Sequence, residues 1–140
     1  FSAAKPRELA LKDIEKSSQI LGNFIDFHLK RLNLKEENLI LLGFSQGAMI
    51  SIYHATRRQK AIKNIIAIAG KIIDEDDFNP TSKPPILLIH GTNDNIVPFT
   101  RHQQSKKILT NQNYPFKSLE IENLRHLISI KTIDSIKKFL

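Results

Sequence analysis

A chain of 140 residues, 41% hydrophobic and 25% charged, has room for one packed core and not for two, so residues 1–140 are expected to form a single domain. Without cysteine it is no disulfide scaffold, thiolate metal site, CxxC redox protein or cysteine-nucleophile enzyme. The net charge of +7 comes from 15 Lys against 6 Arg, scattered along the chain, and Ile, Lys and Asn supply 46 of the 140 residues, a broad compositional bias that argues against a nucleic-acid partner.

In chain order, Pro6 suits a first helical turn, and Leu11, Ile14, Ser18, Leu21, Ile25, His28 and Leu32 recur at threes and fours, which predicts an amphipathic helix to about Arg31. The apolar run 38–42, ended by Gly43, reads as a strand buried on both faces. A helix over 46–58 should face the core with Met49, Ile50, Tyr53 and His54. A second buried strand spans 64–69 and stops at Gly70, and residues 71–84 form an acidic connection holding Asp74, Glu75, Asp76 and Asp77. A third strand, 85–90, stops at Gly91. Pro98 starts a helix carried by Gln104 and Ile108 to about Leu109, a fourth strand spans 116–121, and Ser129 caps a last helix lined by Ile133, Ile136 and Leu140. Strands that alternate with covering segments predict an α/β fold, a mostly parallel sheet of about four strands with helices on both faces. No apolar run approaches the roughly 18 residues of a membrane span and no leader is visible, so a cytoplasmic chain without stable membrane insertion is expected.

The most informative residues are Gly43-Phe44-Ser45-Gln46-Gly47, which fit G-x-S-x-G where a buried strand passes into a helix. A serine on so tight a turn projects from the sheet with its hydroxyl exposed, and Gly43 and Gly47 are expected to relieve clashes on either side of it. The N-terminus of the following helix adds partial positive charge and the backbone N–H of Gln46 as an oxyanion donor. Serine needs a base, and the base an orienting carboxylate. Asp94 lies in the loop after the third strand and His126 between the fourth strand and the last helix, both beyond carboxyl ends of strands, where parallel sheets build sites. Ser45, Asp94 and His126 thus stand in the order nucleophile, acid, base of the α/β-hydrolases.

On GFSQGA (residues 43–48) and HGTNDNIVPF (residues 90–99) the chain resembles the phospholipase/carboxylesterase family of α/β-hydrolases, which includes the acyl-protein thioesterases. The resemblance spans the chain but only the later part of the family's fold. It implies hydrolysis of carboxylic esters or thioesters of small molecules, lipids or acylated proteins through an acyl-enzyme, with Ser45 as nucleophile, Asp94 as triad acid, His126 as base and no cofactor or metal. Two departures accompany it. Leu124-Arg125 precedes His126 where the family has glycine, so Arg125 is placed to crowd the base. The family's early strands, with a second oxyanion donor, have no counterpart before Phe1, which makes a catalytically silent assembly module the alternative. The strand at 38–42 would then be a bare edge, and a homodimer, a missing N-terminal segment or the first helix is expected to cover it.

Of the other candidates, Phe44 and Val97 are possible walls of a substrate pocket, and His102, one turn beyond Pro98, is the reserve base. His90 is expected to shape its loop through a hydrogen bond. His28, His54 and Met49 read as structural, Arg57 and Arg58 as dipole-satisfying residues, and residues 74–77 as a solvated acidic loop rather than a cation site.

Overall fold

The computed structural model describes residues 6–140. Three short apolar runs and one alternating segment, too brief for stable helices, become parallel strands: β1 (Ile40–Phe44), β2 (Asn64–Ile68), β3 (Ile86–Gly91) and, alternating, β4 (Phe116–Ile121). They pair in the order β1-β2-β3-β4, with Gly43 opposite Ala67, Ile68 opposite Ile89 and Gly91 opposite Ile121. Four helices accompany them: α1 (Arg7–Leu32), α2 (Gln46–Arg57), α3 (Phe99–Asn111) and α4 (Ile130–Phe139).

Alternation along β2 and β3 sends side chains to opposite faces and divides the core. Ile65, Ala67, Ile86 and Leu88 pack with Ile52 of α2 and Leu109 of α3 on one face. Ile66, Ile68, Leu87 and Ile89 pack with Ile136 and Phe139 of α4 on the other. The sheet is therefore covered on both sides, as a parallel sheet requires. Each buried isoleucine contributes about 1.5–3 kcal/mol.

Several expected boundaries and faces shift. Residues Glu36–Asn38 form a 3₁₀ turn, in which the Asn38 side chain accepts the Lys35 N–H at 3.0 Å, so β1 begins at Ile40 and runs through Gly43 into Phe44. Pro6 precedes α1 rather than sitting in its first turn, and Leu32 is exposed. In α3 the inward residues are His102, Ser105 and Leu109, while Gln104 is exposed. In α4 the cap fixes the phase: Ser129 Oγ accepts the Thr132 N–H at 3.2 Å, which turns Thr132, Ile136 and Phe139 inward and leaves Ile133 and Leu140 exposed.

The 74–77 loop is not merely solvated. Asp74 is buried and accepts from Arg57 at 2.6 Å, and that guanidinium lies 3.6 Å over the Tyr53 ring. Glu75 pairs with Arg101, and Asp76 and Asp77 with Arg7, so these carboxylates tie three helices together. β1 stands at the sheet edge with Leu42 54% exposed rather than buried on both faces. The first helix does not cover that edge, because α1 packs on α2. Among the described residues, no helix is long and apolar enough to cross a membrane.

Candidate active site

Ser45 follows β1 directly and precedes the first residue of α2. Its backbone takes φ 55° and ψ −116°, a left-handed conformation that a non-glycine residue adopts only when its surroundings impose it. Those surroundings are visible. The Ser45 N–H donates to the Ile68 carbonyl at 2.8 Å, which anchors the turn to β2, and the Ser45 carbonyl accepts from Ala48 and Met49 of α2. A Cβ on Gly43 would stand 2.1 Å from the Gly47 carbonyl oxygen, so strand and helix approach as closely as two backbones can. Gly47 itself does not need to be glycine on this ground. Its Cβ would meet nothing within 4 Å among the described residues, and the constraint expected at both glycines falls on Gly43 alone.

Asp94 sits in the loop after β3 with its side chain fully buried. Oδ1 accepts the backbone N–H groups of Ile96 and Val97, each at 2.9 Å, and Oδ2 accepts from His126 Nδ1 at 2.7 Å. The two N–H bonds on Oδ1 leave Oδ2 to aim at the imidazole. A carboxylate only accepts, so Nδ1 carries the His126 proton and Nε2 presents a lone pair. The His126 ring lies 4.8 Å from that of Phe44, the residue preceding Ser45. The structure thus joins Asp94 and His126 by a hydrogen bond and brings His126 beside the elbow through Phe44. Among the described residues no hydrogen bond links Ser45 Oγ to His126.

Gly91, which reads in the sequence only as a strand stop, proves essential to this meeting. Its Cβ would fall 2.1 Å from the Leu124 carbonyl oxygen, and only glycine lets the loop bearing Asp94 lie against the loop bearing His126. The Asn93 N–H donates to the Leu124 carbonyl and the Thr92 N–H to that of Ile121, which lace the two loops together. The signal was present in the sequence, since a glycine at a strand end marks close backbone approach as often as a turn.

The remaining candidates fall elsewhere. Val97 is buried with Ile14 and Met49, a core contact rather than a pocket wall. Phe44 is half-buried against His126. The Arg125 side chain is exposed. His102 does not reach the site mouth: it is 1% exposed and its Nε2 lies 2.9 Å from Ser118 Oγ. His54 Nδ1 lies 2.9 Å from Ser18 Oγ in a polar groove of about 550 Å³ between α1 and the C-terminal end of α2, the end away from Ser45. His28 lies tilted against Phe24 on the outer part of α1.

Three histidines titrate below their ordinary range because burial disfavours the imidazolium: His54, His90 and, furthest, His102, pushed down to about 4. An unfolded histidine takes up its proton near pH 6.5, so between there and about 4 the unfolded chain binds protons that the folded His102 refuses. Stability present at pH 7 is lost as the pH falls through that window. A His102→Gln variant, which keeps a polar group near Ser118, should lose about 2–3 kcal/mol less than the parent between pH 7 and 4.5 in urea unfolding. Equal losses would refute a neutral, buried His102.

Comparison with known proteins identifies relatives of the whole chain. The family model for phospholipase/carboxylesterase matches residues 3–140. Acyl-protein thioesterase 1 homolog 1 of Dictyostelium discoideum is 28% identical over 134 residues, covering 91% of this chain and 58% of its own length. Acyl-protein thioesterase 1 of Schizosaccharomyces pombe is 30% identical over 133 residues, covering 90% and 58%. Among solved structures, esterase PE8 superposes with a TM-score of 0.91 at 28% identity over 98% of this chain and 65% of its own. The phospholipase/carboxylesterase from Dyadobacter fermentans superposes at 0.81 with 22% identity, a likeness of fold. The chain spans rather more than half the length of the relatives it matches.

Proposed function

The chain belongs to the phospholipase/carboxylesterase family, and from that premise we propose that it hydrolyses carboxylic esters or thioesters through an acyl-enzyme on Ser45. The observation that carries this reading is the Asp94–His126 hydrogen bond of 2.7 Å, with the imidazole tilted against Phe44 at the serine elbow. His126 Nε2 takes the proton of Ser45 Oγ as that oxygen attacks the acyl carbonyl carbon. The carbonyl oxygen becomes an oxyanion at the N-terminus of α2, where the Gln46 N–H and the helix dipole stabilise it. The imidazolium is held by Asp94 and returns its proton to the departing alcohol or thiol. Water then attacks the acyl-serine by the same exchange, releasing the acid and restoring Ser45. The substrate class is an acyl ester or thioester of a small molecule, a lipid or an acylated protein, and the relatives named as thioesterases favour the acylated-protein end of that range.

The exposed edge of β1, with Leu42 at its middle, fits pairing with a further strand from a second copy or from additional polypeptide. Catalysis is tested with a fluorophosphonate that esterifies activated serines. The protein should gain the mass of one phosphonyl group, and Ser45→Ala none. No labelling of the parent under conditions that label an intact relative would favour the silent assembly module over the enzyme.

A further inference from the structure

His90 is the penultimate residue of β3, with its side chain 1% exposed, beside the Asp94 loop. Its Nε2 lies 2.8 Å from the Val97 carbonyl oxygen. A carbonyl only accepts, so Nε2 carries the proton and Nδ1 is a bare lone pair. Nδ1 is buried and has no hydrogen-bond partner among the described residues. A second proton there would be a buried charge with no acceptor, and burial does hold this imidazole below its ordinary titration range. His90 is therefore a neutral group of fixed tautomer. Its ring packs against two neighbours on α3, His102 at 5.2 Å and Phe99 at 6.2 Å between ring centroids.

The same Nε2 stands 3.4 Å from Asp94 Oδ2, the oxygen that accepts from His126. We propose that His90 is a positioning residue for the Asp94–His126 pair. By holding the Val97 carbonyl it fixes the loop whose Ile96 and Val97 N–H groups grip Asp94 Oδ1, and it sets the positive end of its N–H dipole beside Oδ2. The first effect aims the carboxylate. The second tempers the carboxylate's pull on the His126 proton. The titratable groups facing His90 are Asp94 and His126 on the loop side and His102 on α3, with Glu120 and Lys106 beyond His102. The inference rests on reading Asp94 and His126 as acid and base, but its test does not require turnover.

The test combines His90→Leu, which removes the donor, with His90→Gln, whose amide nitrogen reaches the position of Nε2. His126 is titrated by NMR in each. In His90→Leu the His126 midpoint should rise by about half a unit to one unit, the size of one lost dipolar contact, and the acid limb of kcat/KM should move up with it. His90→Gln should restore both to within about 0.2 unit. A midpoint identical in all three proteins overturns the proposal. If His90→Leu does not fold, ¹⁵N spectra of the parent decide: His90 must be the Nε2–H tautomer and must titrate below the ordinary imidazole range, and either failure overturns it. Should Ser45 take no fluorophosphonate while His126 still shifts, the positioning role stands and only the hydrolase reading falls.

Discussion

Asp94→Asn is expected to lower the fluorophosphonate labelling rate and esterase kcat/KM by about four orders of magnitude while leaving the fold intact. The two halves of that expectation come from the two carboxylate oxygens. An asparagine oxygen at the Oδ1 position still accepts the Ile96 and Val97 N–H groups, so the loop keeps its shape. At the Oδ2 position an NH₂ group would face His126 Nδ1, now 2.7 Å from an acceptor. Two donors cannot share that contact. The imidazole moves its proton to Nε2, and the lone pair that should deprotonate Ser45 disappears. Asp94→Ala, by contrast, would leave two backbone donors without their acceptor, at about 1–3 kcal/mol each, and would confound chemistry with unfolding. The comparison that decides is therefore labelling rate against melting temperature. Asparagine should lose the first and keep the second, and alanine should lose both. An asparagine variant labelled within tenfold of the parent would remove Asp94 from the mechanism.

How much of this was legible before folding follows from the range of each interaction. The sheet, its parallel sense and three residues at one edge could be read because apolar runs, glycines and chain order are local or ordinal signals. The helix faces were less secure. In α4 the spacing of Ile133, Ile136 and Leu140 suggested a stripe, but the Ser129–Thr132 cap sets the rotation, and the cap geometry exists only once the preceding loop is placed. His102 reads as a reserve base by counting from Pro98, although the helix rotates it inward against Ser118 on β4. Asp74 looked solvated because its partner, Arg57, lies 17 residues earlier on another element. No composition argument reaches such pairs. The Phe44–His126 ring contact and the His90–Val97 bond are likewise tertiary facts, although both involve residues that the motifs mark.

The two glycines of the elbow, indistinguishable in the motif, should respond to alanine in opposite senses. At Gly43 the new methyl would lie 2.1 Å from the Gly47 oxygen, 2.2 Å from the Gly47 carbon and 2.5 Å from the Ala48 nitrogen. These are backbone atoms in the first turn of α2, so no side chain can rotate away, and relief requires moving the helix off the sheet. That shift strains the Ser45 N–H bond to Ile68 and unwinds the φ 55° turn that presents the hydroxyl. Gly43→Ala should lose about 3 kcal/mol or more of stability in urea unfolding and all detectable labelling of Ser45. At Gly47 the methyl points into open space and the backbone φ is not positive, so alanine meets no strain. It also removes the unfolded-state entropy of a helical glycine, worth about 0.5–1 kcal/mol, and Gly47→Ala should be slightly more stable than the parent. Labelling of Gly47→Ala then reports on what lies above the elbow. A stable but unlabelled Gly47→Ala would mean that the acyl group passes over Gly47 and needs its bare Cα, whereas full labelling confines the requirement for glycine to the packing of strand on helix. If Gly43→Ala proved as stable as the parent, the close approach of β1 and α2 would be wrong, and with it the strained turn on which the nucleophile depends.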